Sequence, residues 1–212
     1  VVYNDLKRLC PEAVHRNVPL AGLSRWAIGG QADIVVEPRT IEQLCSVRHY
    51  ISSRSLRHLT IGATSNLLFA DEGLRAICVR ISSSLSTLKV SDCEIEAQAG
   101  AWVPGIARRA MRESLSGIEH ICGIPGTLGG LVYMNGGSQR KGIGDNVVTI
   151  TSIDCVGNLH HRSRAECAFA YRKSIFQQLD EVIANVRIRL EKVLDSRQIR
   201  CEMLDILGSR RR

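Results

Sequence analysis

Apolar and polar positions alternate in blocks along the chain, and the period of each block predicts an element. Ile34-Val35-Val36-Glu37 is an apolar strand that Pro38 stops. Thr40 then opens a helix, because Gln43 three positions on completes a capping box and Ile41, Leu44, Val47, Arg48 and Ile51 share one face. Leu59-Thr60-Ile61, Ala76-Ile77-Cys78-Val79-Arg80-Ile81 and Glu94-Ile95-Glu96-Ala97-Gln98-Ala99-Gly100 are strand-like. Val103, Ile106, Ala107, Ala110 and Met111 recur at helical spacing opposite Arg108, Arg109, Arg112 and Glu113, which predicts an amphipathic helix on a sheet with Gly117 at its end. Val147 to Asp154 and Val182 to Leu190 are strands, and a last helix carries Ile199, Met203, Ile206 and Leu207 on one side. Strands in short runs with a few helices make the fold class α+β.

Between these elements lies a stretch with neither period. Gly123-Ile124-Pro125-Gly126-Thr127-Leu128-Gly129-Gly130 holds four glycines and a proline, a poor interior for helix or strand. Such a stretch brings bare backbone N–H groups close to an anion, phosphate above all, although a tight turn between two elements is the plain alternative. It matches neither G-x-G-x-x-G after a strand nor the P-loop. Gly62-Ala63-Thr64-Ser65-Asn66-Leu67, entered from a strand, is a second loop of this kind. Tyr171-Arg172-Lys173-Ser174 offers an aromatic-flanked guanidinium, whose planar fork suits a carboxylate or phosphate or else anchors a loop.

Composition narrows the partners. The 212 residues are 44% hydrophobic, enough for one large domain or two small ones. No apolar run approaches the 18 residues of a membrane span, and the first residues lack the layout of a signal peptide, so a cytoplasmic protein is expected. The eight cysteines are widely spaced with no C-x-x-C pair, which fits buried hydrophobes better than a disulfide framework or zinc, and no metal site is expected. His160-His161 is a lone solvated pair. The net charge of +7 includes Arg210-Arg211-Arg212 at the chain end, and with 4% aromatic residues there is no stacking platform, so nucleic acid is not the expected ligand. An anionic small molecule is.

Five motifs in order carry a resemblance: Ile28-Gly29-Gly30-Gln31-Ala32-Asp33; Ile61-Gly62-Ala63-Thr64-Ser65-Asn66-Leu67-Leu68; Gly117-Ile118-Glu119 with the 123–130 stretch; Met134-Asn135-Gly136-Gly137; and Tyr171-Arg172-Lys173-Ser174-Ile175-Phe176. From about residue 18 onward the chain resembles the UDP-N-acetylenolpyruvoylglucosamine reductases, the UDP-N-acetylmuramate dehydrogenase (MurB) flavoproteins of peptidoglycan synthesis. The resemblance implies a two-lobed FAD-binding fold of the vanillyl-alcohol-oxidase type, with lobes at residues 1–82 and 83–192 and a C-terminal helix and basic tail over 193–212. FAD would be held non-covalently by Gly29, Gly30, Gly62, Ala63, Thr64, Ser65, Asn66, Leu67, Gly123, Ile124, Pro125, Gly126, Thr127, Gly129, Gly130 and Asn135. NADPH would supply electrons, and a UDP-sugar would meet Tyr171, Arg172 and Gln139, with Arg172 the catalytic cation.

Three positions in two loops depart from the family pattern. Thr64 stands where the family usually has a third glycine, a strained place for a β-branched residue if φ is positive. Gln139-Arg140 replaces an aromatic followed by glycine. The family continues into a third, substrate-binding domain with a proton-donating serine and a glutamate, and Arg212 falls where that domain is expected to begin. Two functions follow as expectations. One is an FAD-dependent oxidoreductase acting on the UDP-enolpyruvyl sugar. The other is a non-catalytic flavin or nucleotide-sugar module completed by a partner chain, with the apolar side of the last helix as its docking face or a self-association face.

Overall fold

The computed structural model describes residues 1–209, so the expected basic tail Arg210-Arg211-Arg212 lies outside the described residues. Helix α1 (Val2–Leu9) leads into β1 (Val14–Pro19), β2 (Gln31–Val36), α2 (Ile41–Ser53), β3 (His58–Ile61) and β4 (Leu74–Arg80). Their four strands form one sheet in the order β1-β2-β4-β3, with β1 antiparallel to β2 and the other pairs parallel. After it come β5 (Leu88–Ser91), β6 (Glu94–Gln98), α3 (Val103–Arg112), β7 (Leu115–Ser116), α4 (Leu128–Tyr133), β8 (Val147–Ile153), β9 (Leu159–Ser163), β10 (Val182–Arg189), β11 (Glu191–Lys192) and α5 (Ser196–Ser209). Here β5-β6-β10-β8-β9 make an antiparallel sheet, and β11 pairs with β7 as a small ribbon.

The first sheet is buried on both faces. Val36, Ile77 and Val79 point into a core shared with α2 and the second sheet, while Val35, Cys78 and Ile61 point to a smaller cluster with Leu20 and Phe69. That is why its inner strands read as continuous apolar runs. The larger core runs without a break from Leu44 and Val47 of α2 to Ile95, Ile106, Ile150 and Val186.

Local chemistry sets the helix ends. Thr40 Oγ1 accepts from the Gln43 N–H at 3.2 Å, and the Gln43 side chain accepts from the Arg39 N–H at 2.8 Å, one residue further back than a capping box requires. Arg48, on the buried face of α2, is only 1% exposed. It donates to the carbonyl of Asp154 at 3.3 Å, to His58 Nε2 at 2.5 Å, and to both the carbonyl and the carboxylate of Asp180 at 2.9 and 2.6 Å.

Three expectations change. Helix α3 ends at Arg112, with Ser114 at φ +55 taking the left-handed position; Gly117 lies beyond β7 and gives its N–H to both carboxylate oxygens of Glu119, at 3.1 and 3.0 Å. Gly129 and Gly130 sit inside α4, so the end of the 123–130 stretch is helical although its composition made a poor helix interior. The apolar side of α5 is not a free docking face: Ile199, Met203 and Ile206 are buried in the main core, against α3 and the turn at Glu119–Ile121. Among the described residues no helix is long and apolar enough to cross a membrane, and no group of three or more histidine, cysteine or acidic residues is placed to hold a metal.

Candidate functional site

Two loops from separate parts of the chain meet. The loop after β3 carries Gly62 to Leu67, and the turn into α4 carries Gly123 to Thr127. Ser65 Oγ donates to the Pro125 carbonyl at 2.8 Å. Gly62 and Thr127 are in contact so close that a Cβ on Gly62 would meet Thr127 Oγ1 at an impossible distance. Gly126 has φ +148, a conformation side chains rarely adopt, and the nearest atom to a Cβ there is Ser65 Oγ at 3.2 Å. Thr64 has φ +53, so the strain expected of a β-branched residue is present; its buried hydroxyl donates to the Leu23 carbonyl at 2.7 Å and holds the loop in that shape.

The result is a concentration of unused backbone donors. Among the described residues the N–H groups of Ser65, Asn66, Gly126, Thr127 and Gly130 have no hydrogen-bond acceptor. Adjacent amides aimed out of glycine-rich turns form an anion cradle, and a diphosphate is the group that satisfies several at once. The residues present therefore fit the diphosphate of a dinucleotide such as FAD. Asn66 and Leu67 are exposed at the loop tip, Ala63 is half-buried, Pro125 is exposed, and Gly123 and Ile124 are half-buried behind them, Ile124 against the main core.

Not every glycine of the motifs is free. A Cβ on Gly29 would strike Phe69 Cβ at 2.6 Å, and one on Gly30 would strike the Asp71 carbonyl; the Gly30 N–H already donates to Ala70 at 2.9 Å. Both glycines let the chain's own 69–73 segment close over them. Gly129 lets α4 approach the end of β6, since its Cβ would lie 2.9 Å from Ala99 Cβ. These are packing positions.

A second feature adjoins the cradle at the far end of α4. Asn135 spends its whole side-chain amide inside the protein, donating from Nδ2 to the Ala170 carbonyl at 2.9 Å and accepting at Oδ1 from the Gly144 N–H at 2.9 Å. It positions the turn that carries Tyr171 and Arg172. That turn is closed by reciprocal bonds of 3.1 Å between Ala170 and Lys173, with Arg172 at φ +54. Gln177 Nε2 braces it from below, donating to the Arg172 carbonyl at 3.1 Å, and Ser174 Oγ donates to the Tyr133 carbonyl at 2.7 Å while only 1% exposed. Tyr171 is exposed, and the exposed Arg172 forms no ion pair among the described residues. Its guanidinium lies over Gly136, 3.6 Å from where a Cβ would sit. Gln139 is exposed on the neighbouring turn at φ +54, with no side-chain hydrogen bond among the described residues.

Sequence reasoning missed the bracing roles of Asn135 and Gln177, for which no periodicity gives a signal. It also missed His120, 2% exposed, whose ring nitrogens both lack partners under the 136–145 loop. Burial pushes its pKa below the ordinary 6.5, and the Lys141 ammonium acts in the same direction. A separate cavity of about 250 Å³ lined by Arg48, His58, Cys155 and Asp180 shares no residue with these loops, and the Arg48 donors facing it are already used.

A family model for the FAD binding domain matches residues 32–163. The UDP-N-acetylenolpyruvoylglucosamine reductase 1 of Corynebacterium glutamicum is 36% identical over 193 residues, covering 91% of this chain and 57% of its own length. The UDP-N-acetylenolpyruvoylglucosamine reductase of Syntrophomonas wolfei is 32% identical, covering 96% of this chain and 68% of its own. The crystal structure of UDP-N-acetylenolpyruvylglucosamine reductase (MurB) from Thermus caldophilus superposes with a TM-score of 0.80 at 27% identity, covering 93% of this chain and 69% of that one. The α+β flavoprotein fold expected from the motifs is borne out. The first of these relatives extends well beyond the match, the chain spanning little more than half its length.

Proposed function

The chain belongs to the UDP-N-acetylenolpyruvoylglucosamine reductase family of FAD-binding proteins, and from that premise we propose that it binds FAD non-covalently and supplies the flavin part of an NADPH-dependent reduction of UDP-N-acetylglucosamine enolpyruvate, a cytoplasmic step of peptidoglycan synthesis. The observation that carries the proposal is the meeting of the Gly62–Leu67 and Gly123–Thr127 loops, joined by the Ser65–Pro125 bond and rich in unused N–H donors. FAD supplies the hydride chemistry when bound. The residues of this chain bind, orient and polarise.

In this reading the two loops hold the diphosphate through backbone amides, fixing the cofactor without spending a side-chain charge. Arg172 faces the substrate. Hydride addition to an enolpyruvyl double bond moves negative charge toward the carboxylate, and a cation already in place stabilises that charge without reorganising as it develops. The bracing by Asn135 and Gln177, together with the absence of an acidic partner among the described residues, keeps the guanidinium available. Ser174 is not the proton donor of this reaction, because its hydroxyl is buried and committed to Tyr133.

The test has two arms. Mixing the colourless 212-residue chain with FAD and removing excess should leave a yellow protein that releases its flavin on acid precipitation; a chain that retains none overturns the proposal. NADPH oxidation with and without the UDP-enolpyruvyl sugar then separates full turnover from flavin binding alone.

A further inference from the structure

The turn next to the Arg172 turn holds two long side chains on strained backbone. Lys141 N–H donates to the Ser138 carbonyl at 3.0 Å, closing a four-residue turn whose two central residues, Gln139 and Arg140, have φ +54 and +61. Positive φ at both corners is the type I′ pattern, which favours asparagine and glycine. This chain places two long side chains there. The base of the loop enforces the shape: Gly137 lets the Lys141 carbonyl lie against it, Ser138 Oγ donates to the His120 carbonyl at 2.6 Å, and Ile143 N–H donates to the Gly136 carbonyl at 3.0 Å.

Arg140 repeats the situation of Arg172. Both arginines occupy the second corner of a tight turn at positive φ, both are exposed, and neither has an ion pair among the described residues. The two turns are neighbours, since Arg172 lies over Gly136, Gly137 packs on Lys141, and Asn135 ties the segment before the first turn to Ala170 at the base of the second. A guanidinium held on strained backbone with no internal acceptor is suited to an external oxyanion, for which its planar fork provides two parallel donors.

We infer that Arg140 is a second oxyanion-binding residue of the substrate site, contacting the diphosphate of a nucleotide-linked substrate while Arg172 attends to its carboxylate. The inference rests on the function proposed above and deepens it, because it assigns substrate recognition to a position where the family pattern has glycine. A glycine would relieve the turn but contribute no contact.

The experiment titrates UDP, and separately pyruvate, into the FAD-treated chain by calorimetry, with FAD uptake read independently from visible absorbance. Arg140→Gln and Arg140→Gly should both weaken UDP binding about ten- to hundredfold, the range of a charge-assisted contact, while pyruvate binding and FAD uptake stay as in the parent. Arg140→Lys should recover part of the loss. Arg140→Gly should also melt higher than the parent as the strain is released. UDP binding that is unchanged in the Gln and Gly variants, or absent from the parent chain, overturns the inference. A parent chain that takes up no FAD instead overturns the reading on which it rests.

Discussion

The Ser65 hydroxyl and the Pro125 carbonyl oxygen, 2.8 Å apart, join a loop of the first sheet to a turn that precedes the second sheet's middle strands. The bond fixes the spacing between two sets of bare amides. Replacing Ser65 by alanine should therefore weaken FAD binding more than it weakens the fold. A neutral hydrogen bond contributes about 1 kcal/mol, so the melting temperature of the apo-protein should move by only a few degrees, while flavin affinity measured by fluorescence quenching drops several-fold.

Gly126 and Gly129 should respond differently to the same added methyl group. At Gly126 the cost is the disfavoured φ and crowding of Ser65, so Gly126→Ala should reduce FAD uptake. At Gly129 the methyl would meet Ala99 within 3 Å, so Gly129→Ala should lower the melting temperature of the apo-protein by the equivalent of about 1–3 kcal/mol, an overpacking cost. Apo melting curves for the two variants distinguish the roles.

Asn135→Ala should disturb substrate handling without touching the flavin loops. The substitution removes the donor to Ala170 and the acceptor for Gly144, releasing the turn that aims Arg172. Flavin uptake should persist. If the proposed function holds, NADPH-dependent turnover of the UDP-enolpyruvyl sugar should fall by about tenfold or more, in line with the sensitivity of catalysis to small misplacements.

His120 predicts an acid limb in the stability curve. Its folded pKa is lowered from 6.5, first by burial and then by Lys141, with Glu119 and Asp145 opposing. Below pH 6.5 the unfolded chain therefore binds a proton that the folded chain refuses, and stability falls as pH falls through this window. His120→Phe should flatten the loss between pH 6.5 and 5 in urea titrations; an unchanged slope would place the acid sensitivity elsewhere.

Arg48→Met tests the contact between α2 and the loop ahead of β10. The Asp180 carboxylate is 60% exposed and can rehydrate, so the loss comes mainly from the carbonyls of Asp154 and Asp180 left without their donor. Destabilisation of about 2 kcal/mol is expected from urea unfolding.

Much of this was legible from side-chain period. The apolar face of α2 and the stripe Val103, Ile106, Ala107, Ala110 are buried as their spacing predicts, because burying one face fixes the periodicity. Strand β1 was not legible. It is an edge strand with four of its six residues exposed, and Asn17 at φ +51 interrupts its alternation, so no period of two survives. Glycine was the other blind spot. Gly62 and Gly126 line the meeting of the two loops, while Gly29, Gly30 and Gly129 admit the chain's own atoms, and only the identity of the neighbour tells the two uses apart.

The reach of Arg48 constrains how this chain can be divided. A polypeptide cut near residue 82 would leave the guanidinium in the first piece and its acceptors Asp154 and Asp180 in the second, and would divide a single apolar core that holds Leu44 and Val47 on one side of the cut and Ile95, Ile106 and Val186 on the other. Each piece would be sticky and incomplete by itself, yet the two would carry matching surfaces. Co-expressed halves should reassemble and regain flavin colour, making this junction a workable site for a split-protein reporter whose signal is a bound chromophore.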